Sequence, residues 1–151
     1  MPSREDRFSI CLLEDSDHRL LFLKRSLTET IGPGKWGFPA GHIEDGESPL
    51  ECGLRELDEE IGPDHVLDLR RSIGPVRDTF FGGRFELHLF HYNWREGTVK
   101  LNEEHTDFRW MSSGQFDELD AMLGIEQDIV LLDIWPAGIF DPARLGHLPT
   151  F

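Results

Sequence analysis

Three glutamates, Glu56, Glu59 and Glu60, fall inside the segment "RELDEEIG" (55–62). A helix turns about 100° per residue, so Glu56 and Glu60 would be neighbours on one face, with Glu59 beside them. Like charges at that spacing repel, and acids near a helix C-terminus oppose its dipole. A divalent cation would reverse both effects. Hard oxygen ligands at this density suit Mg2+ or Mn2+. The wider stretch 41–62 holds eight carboxylates and one cation, Arg55. On charge alone such a run is ordinarily a solvated surface.

The element that must carry these acids has clear start and stop signals. In "SPLECGLRELDEEIG" (48–62), Ser48 is an N-cap, Pro49 the first helical residue, and Glu51 completes a capping box. Gly62 and Pro63 end the helix. Leu50, Leu54, Leu57 and Ile61 form one apolar stripe, with Glu56, Glu59 and Glu60 turned away from it.

Around this helix, "RFSICLLE" (7–14) and "RLLFLKR" (19–25) read as strands joined by the polar "DSDH". Residues 26–35 are a loop, and "WGFPA" (36–40) is short and extended. Residues 66–78 predict a strand broken at Gly74–Pro75, paired across "TFFGG" with a long strand at 83–94. Another strand is expected at 105–111, then helices at 112–123 and 125–135. The tail 137–151 takes no assignment. This order fits one mixed α/β domain over residues 1–151, with helices packed on a sheet.

The chain has 151 residues, 29 acids, 15 bases and a net charge of −14. That balance argues against unspecific contact with long nucleic acid or an anionic membrane. A phosphorylated small substrate remains compatible, because bound metal reverses the local sign. Cys11 and Cys52 give neither a disulfide framework nor zinc spacing. No apolar run approaches a membrane span, so a cytoplasmic protein is expected.

The full pattern reads Gly41, five residues, Glu47, seven residues, then Arg55-Glu56-Leu57-Asp58-Glu59-Glu60-Ile61-Gly62. It resembles the Nudix box, a loop-helix-loop motif, and departs only at Pro63, where an aliphatic residue is usual. "LNEEHTDFRWM" (101–111) looks like a late segment of the same family. The resemblance implies an α/β fold of the α+β type, a mixed sheet sandwiched by helices. It implies hydrolysis of a phosphoanhydride in a nucleoside diphosphate linked to another moiety, with Mg2+ or Mn2+. The alternative is a non-catalytic nucleotide-binding or regulatory domain of the same fold, although such domains usually lose box carboxylates.

Family roles carried over make Glu56, Glu60 and the Gly41 carbonyl metal ligands. Glu59 is a further ligand or a base. Arg55 braces the acids, with Glu47 as its partner. The general base is Glu104 first, Glu103 second, with His105 a third candidate. Arg25, Lys35 and Arg84 are candidate substrate-contacting cations, and Trp36 and Phe81 candidate stacking rings. The expected partner is a small nucleotide-type substrate, with a homodimer as an option.

Overall fold

The computed structural model describes residues 6–149. Seven strands share one sheet: β1 (Arg7–Glu14), β2 (Leu20–Arg25), β3 (Trp36–Gly37), β4 (Ala40–His42), β5 (His65–Arg77), β6 (Glu86–Gly97) and β7 (His105–Met111). The main path runs β3-β2-β1-β6-β5, with β4 on β1 and β7 on β2. β1 and β6 are parallel, whereas the other pairs are antiparallel, so the sheet is mixed.

Both faces of the central strands are covered, which explains their nearly continuous apolar runs. Alternation divides β2: Leu21 and Leu23 face one core, and Leu20 and Phe22 the other. Helix α1 (Pro49–Ile61) closes the first face with Leu57 and Ile61 against Cys11, Leu13 and Phe90. Helix α2 (Ile125–Leu131) closes the second with Ile125 and Ile129. There Phe22, Phe116, Trp135 and Phe140 form an aromatic cluster with ring centroids 5.5–6.5 Å apart. No helix of the described residues is long and apolar enough to cross a membrane.

The expected helix at 112–123 does not form. Phe116–Glu118 makes one 3-10 turn, and the following residues run alongside β3. The Trp36 N–H donates to the Asp120 carbonyl at 3.0 Å, and the Met122 N–H to the Trp36 carbonyl at 2.8 Å. Extended pairing overrides local helical pattern here. Nor does Gly74–Pro75 break β5; the strand continues, and its register against β6 shifts between Ile73 and Val76. Such a bulge absorbs the donor that proline lacks. α2 stops short of Trp135, with Asp133 at φ 56°. The tail carries a short helix, α3 (Pro142–Leu145), capped by Asp141.

Candidate active site

α1 starts as its sequence dictates. The Ser48 side chain accepts from the Glu51 N–H at 3.1 Å, and Glu51 accepts from the Ser48 N–H at 2.9 Å. Its buried face differs from the expected stripe. Leu50 and Leu54 are 39% and 41% exposed, while Gly53 and Glu60 are buried beside Leu57 and Ile61. Gly53 explains the rotation: a Cβ there would meet Cys11 Sγ at 3.1 Å. Lacking a side chain, it lets the helix lie close to β1, and the seven-residue spacing brings Glu60 inward with it. Glu60 therefore faces the sheet, not solvent.

Arg55 organises the outer acids. It donates to both oxygens of Glu47, at 2.7 and 3.1 Å, in a fork-to-fork pair. It also donates to Glu56 at 2.9 Å, Glu59 at 3.3 Å and the His42 carbonyl at 3.1 Å. Arg55 holds the Glu47 carboxyl down at about 2. Burial pushes Glu56 up to about 7, against the pull of Arg55. Gly41 lies so close to Glu56 that a Cβ would stand 2.0 Å from its Cδ. Only glycine allows this carboxylate to sit against the β4 backbone.

Glu60 is 1% exposed, and the Ala40 N–H donates to one of its oxygens at 3.1 Å. No Lys or Arg pairs with it at salt-bridge distance among the described residues. Burial, then Glu56 and Glu104, raises its carboxyl well above the usual range. Glu104, half-buried, is raised by burial and by Glu29. His105 is buried beside them, its Nε2 3.7 Å from Glu60 Oε1, and burial and Arg25 lower it to about 4. The donor atoms of Glu60, Glu104 and His105 all lie within 4.8 Å of one another. A buried carboxylate without a cation, flanked by two more acids, fits a divalent ion better than it fits nothing. Glu56, Glu60, Glu104 and the Gly41 carbonyl are the oxygens that could hold one. Glu103 is exposed, and Glu59 is half-exposed on the outer face.

The substrate candidates scatter. Trp36 is 6% exposed, packed in the α2-side core with Arg109 over its ring, so it offers no face to a base. Lys35 is paired with Asp120 at 2.8 Å. Arg25 donates to the Ile31 carbonyl at 2.6 Å and lies beside His105 across the β2–β7 ladder. Arg84 lines a cleft of about 440 Å3 with Phe8, Ile31, His42 and Phe85, next to the box loop. Phe81 packs edge-on against Phe85 at 5.6 Å. Spacing gave no sign of Phe8, Ile31 or Phe85, which come together only through the β1–β4 and β1–β6 pairings and the β2–β3 loop.

The NUDIX domain model matches residues 4–131. The chain is 45% identical over 51 residues to "m7GpppN-mRNA hydrolase NUDT17" of Xenopus laevis, covering 34% of this chain and 17% of that protein. It is 42% identical over 69 residues to an "RNA pyrophosphohydrolase" of Thioalkalivibrio sulfidiphilus, covering 44% of this chain and 35% of that one. The chain thus spans no more than about a third of these two relatives. The solved MutT protein from Methanosarcina mazei Go1 shares the fold at TM-score 0.62 and 23% identity, over 79% of this chain and 85% of that one.

Proposed function

From membership of the NUDIX domain family, to which this chain belongs, we propose that it hydrolyses a phosphoanhydride bond in a small nucleoside diphosphate derivative, with Mg2+ or Mn2+ as cofactor. One observation carries this reading: Glu60, buried without a cationic partner among the described residues, at the meeting point of Glu56, Glu104 and the β4 backbone. When bound, a divalent ion supplies positive charge to phosphate oxygens and acidifies water.

Glu56, Glu60 and the Gly41 carbonyl would hold the ion, with Glu59 at the outer edge. Arg55 keeps Glu56 and Glu59 in place through contacts of 2.9 and 3.3 Å, and is itself fixed by Glu47. Such positioning is most of what phosphoryl transfer asks of a protein. Glu104 is the preferred base over Glu103, because it faces Glu60 and burial raises its carboxyl above the ordinary range, which makes it the stronger proton acceptor. Arg84 and the rings of Phe8 and Phe85 would hold the remainder of the substrate, a planar group in a cleft of about 440 Å3. The −14 charge favours a small ligand over a long polyanion. A cytoplasmic setting belongs to the same proposal.

The test is phosphate release across nucleoside triphosphates, nucleotide sugars, ADP-ribose, dinucleoside polyphosphates and a short 5′-triphosphorylated RNA, in Mg2+ and in chelator. Hydrolysis of at least one small substrate, lost in chelator and in Glu60→Gln, is expected. No turnover of any substrate, or full activity in Glu60→Gln, overturns the reading. Turnover of the RNA alone would overturn the small-substrate part.

A further inference from the structure

We infer that His105 supplies a nitrogen ligand to the ion held at Glu60, giving a mixed nitrogen and oxygen centre that prefers Mn2+ to Mg2+. The inference rests on the metal-site reading above and extends it to a residue outside the box.

The geometry carries it. Glu60, Glu104 and His105 form the one group of three such side chains, among the described residues, whose donor atoms lie within 4.8 Å of one another. The His105 side chain is 2% exposed and that of Glu60 1%. Their facing atoms, Nε2 and Oε1, stand 3.7 Å apart, too far for a hydrogen bond. His105 Nδ1 has no hydrogen-bond partner among the described residues either. A buried imidazole in that state is costly unless something binds it. Metal bonds of about 2.1 Å place two donors on one ion about 3 Å apart when adjacent and about 4.2 Å when opposed. The 3.7 Å gap falls between these limits.

The backbone holds the ring there. The Ser26 N–H donates to the Glu104 carbonyl at 2.8 Å, and the Glu104 N–H to Asn102 Oδ1 at 3.1 Å. His105 opens β7 opposite Arg25. The second oxygen of Glu60 is occupied by the Ala40 N–H, which leaves Oε1 toward His105. Mg2+ favours an all-oxygen octahedron with several waters, whereas imidazole suits borderline transition ions.

The experiment is electron spin echo envelope modulation on the Mn2+-loaded protein, with natural and 15N-labelled histidine. The expected spectrum shows directly bound histidine nitrogen that changes with the label, is lost in His105→Asn, and persists in His42→Asn. The same samples, titrated with Mn2+ and competed with Mg2+, should show His105→Asn narrowing the Mn2+ preference by about tenfold or more. Bound Mn2+ without histidine nitrogen, or nitrogen coupling that survives in His105→Asn, overturns the inference and leaves the metal site standing. Failure of wild type to bind Mn2+ overturns both. If His105→Asn does not fold, labelled wild type and His42→Asn still decide, because coupling lost in His42→Asn would assign the nitrogen elsewhere.

Discussion

Two helices, one on each face of the sheet, bury carboxylates, and they deal with them in opposite ways. On α2, Glu126 is 3% exposed and Asp128 6%. Arg144 of the tail donates to both Glu126 oxygens, at 2.8 and 3.2 Å, and to the Ala121 and Met122 carbonyls. Burial, then the Glu126 charge, raises the Asp128 carboxyl well above its ordinary range. The chain itself supplies that cation. On α1, Arg55 is committed to Glu47, Glu56 and Glu59, Arg25 acts on Glu60 only at longer range, and among the described residues no Lys or Arg pairs with Glu60. Burial of an acid is thus not by itself a sign of a metal site. Convergence of several acids with no cation of the chain's own is the better sign.

The largest expected effect tests that distinction directly. Glu60→Gln should cut hydrolysis by more than about 100-fold, beyond the loss typical of a residue that only supports a ligand. Asp128→Asn should leave turnover near wild type. Initial rates in saturating Mg2+ check both; equal losses would mean that buried acids matter for folding on either helix alike. Next in size is Arg144→Met, which strands Glu126 and should cost about 3 kcal/mol in urea denaturation. Adding Glu126→Gln should recover much of that loss. A stability unchanged in Arg144→Met would remove the contrast between the helices.

Much of α1 was legible because its signals are local: cap, proline, capping box and terminal glycine lie within the helix or beside it. The box spacing likewise put Arg55 against Glu47 and Glu56. What was hidden depends on partners distant in sequence. An apolar stripe counts leucines, but Gly53 decides which side meets β1, and that side brings Glu60 inward. The helix expected at 112–123 loses to backbone pairing with Trp36. Arg144 had no pattern to mark it, since its partner Glu126 lies 18 residues earlier.

A smaller effect separates the helices by pH. Glu56 is raised to about 7 and Glu60 is raised as well, from an ordinary value of 4.5. Below about pH 4.5 these groups are protonated in both states and cost nothing. As pH rises, the unfolded chain releases their protons first, so the metal-free protein should lose stability between pH 5 and 7, by about 2 kcal/mol. Mg2+ requires the ionised forms, so its stabilisation should grow over the same range. Asp128 adds a falling slope of the same sign. Urea titrations in chelator and in Mg2+ divide the two: the slope removed by Mg2+ belongs to α1, and the slope removed by Asp128→Asn belongs to α2. A metal-free stability that rises over this range would contradict both assignments.

The smallest effect concerns how each helix begins. α1 has a complete capping box, whereas α2 starts at Gly124, φ 100°, with no side-chain cap. α2 has Arg144 to hold Glu126 and needs less from its first turn. α1 carries repelling acids toward its C-terminal end and is fixed at the other end by Ser48. Ser48→Ala should therefore cost about 1 kcal/mol of metal-free stability. Metal affinity of the folded protein should not move, because Glu56 and Glu60 lie two to three turns away and are set by Arg55 and Ala40. Calorimetric titration of Mn2+ into Ser48→Ala reads this. A tenfold weaker affinity would mean that the cap positions the acids as well as starting the helix, and the metal centre would then extend along the whole of α1.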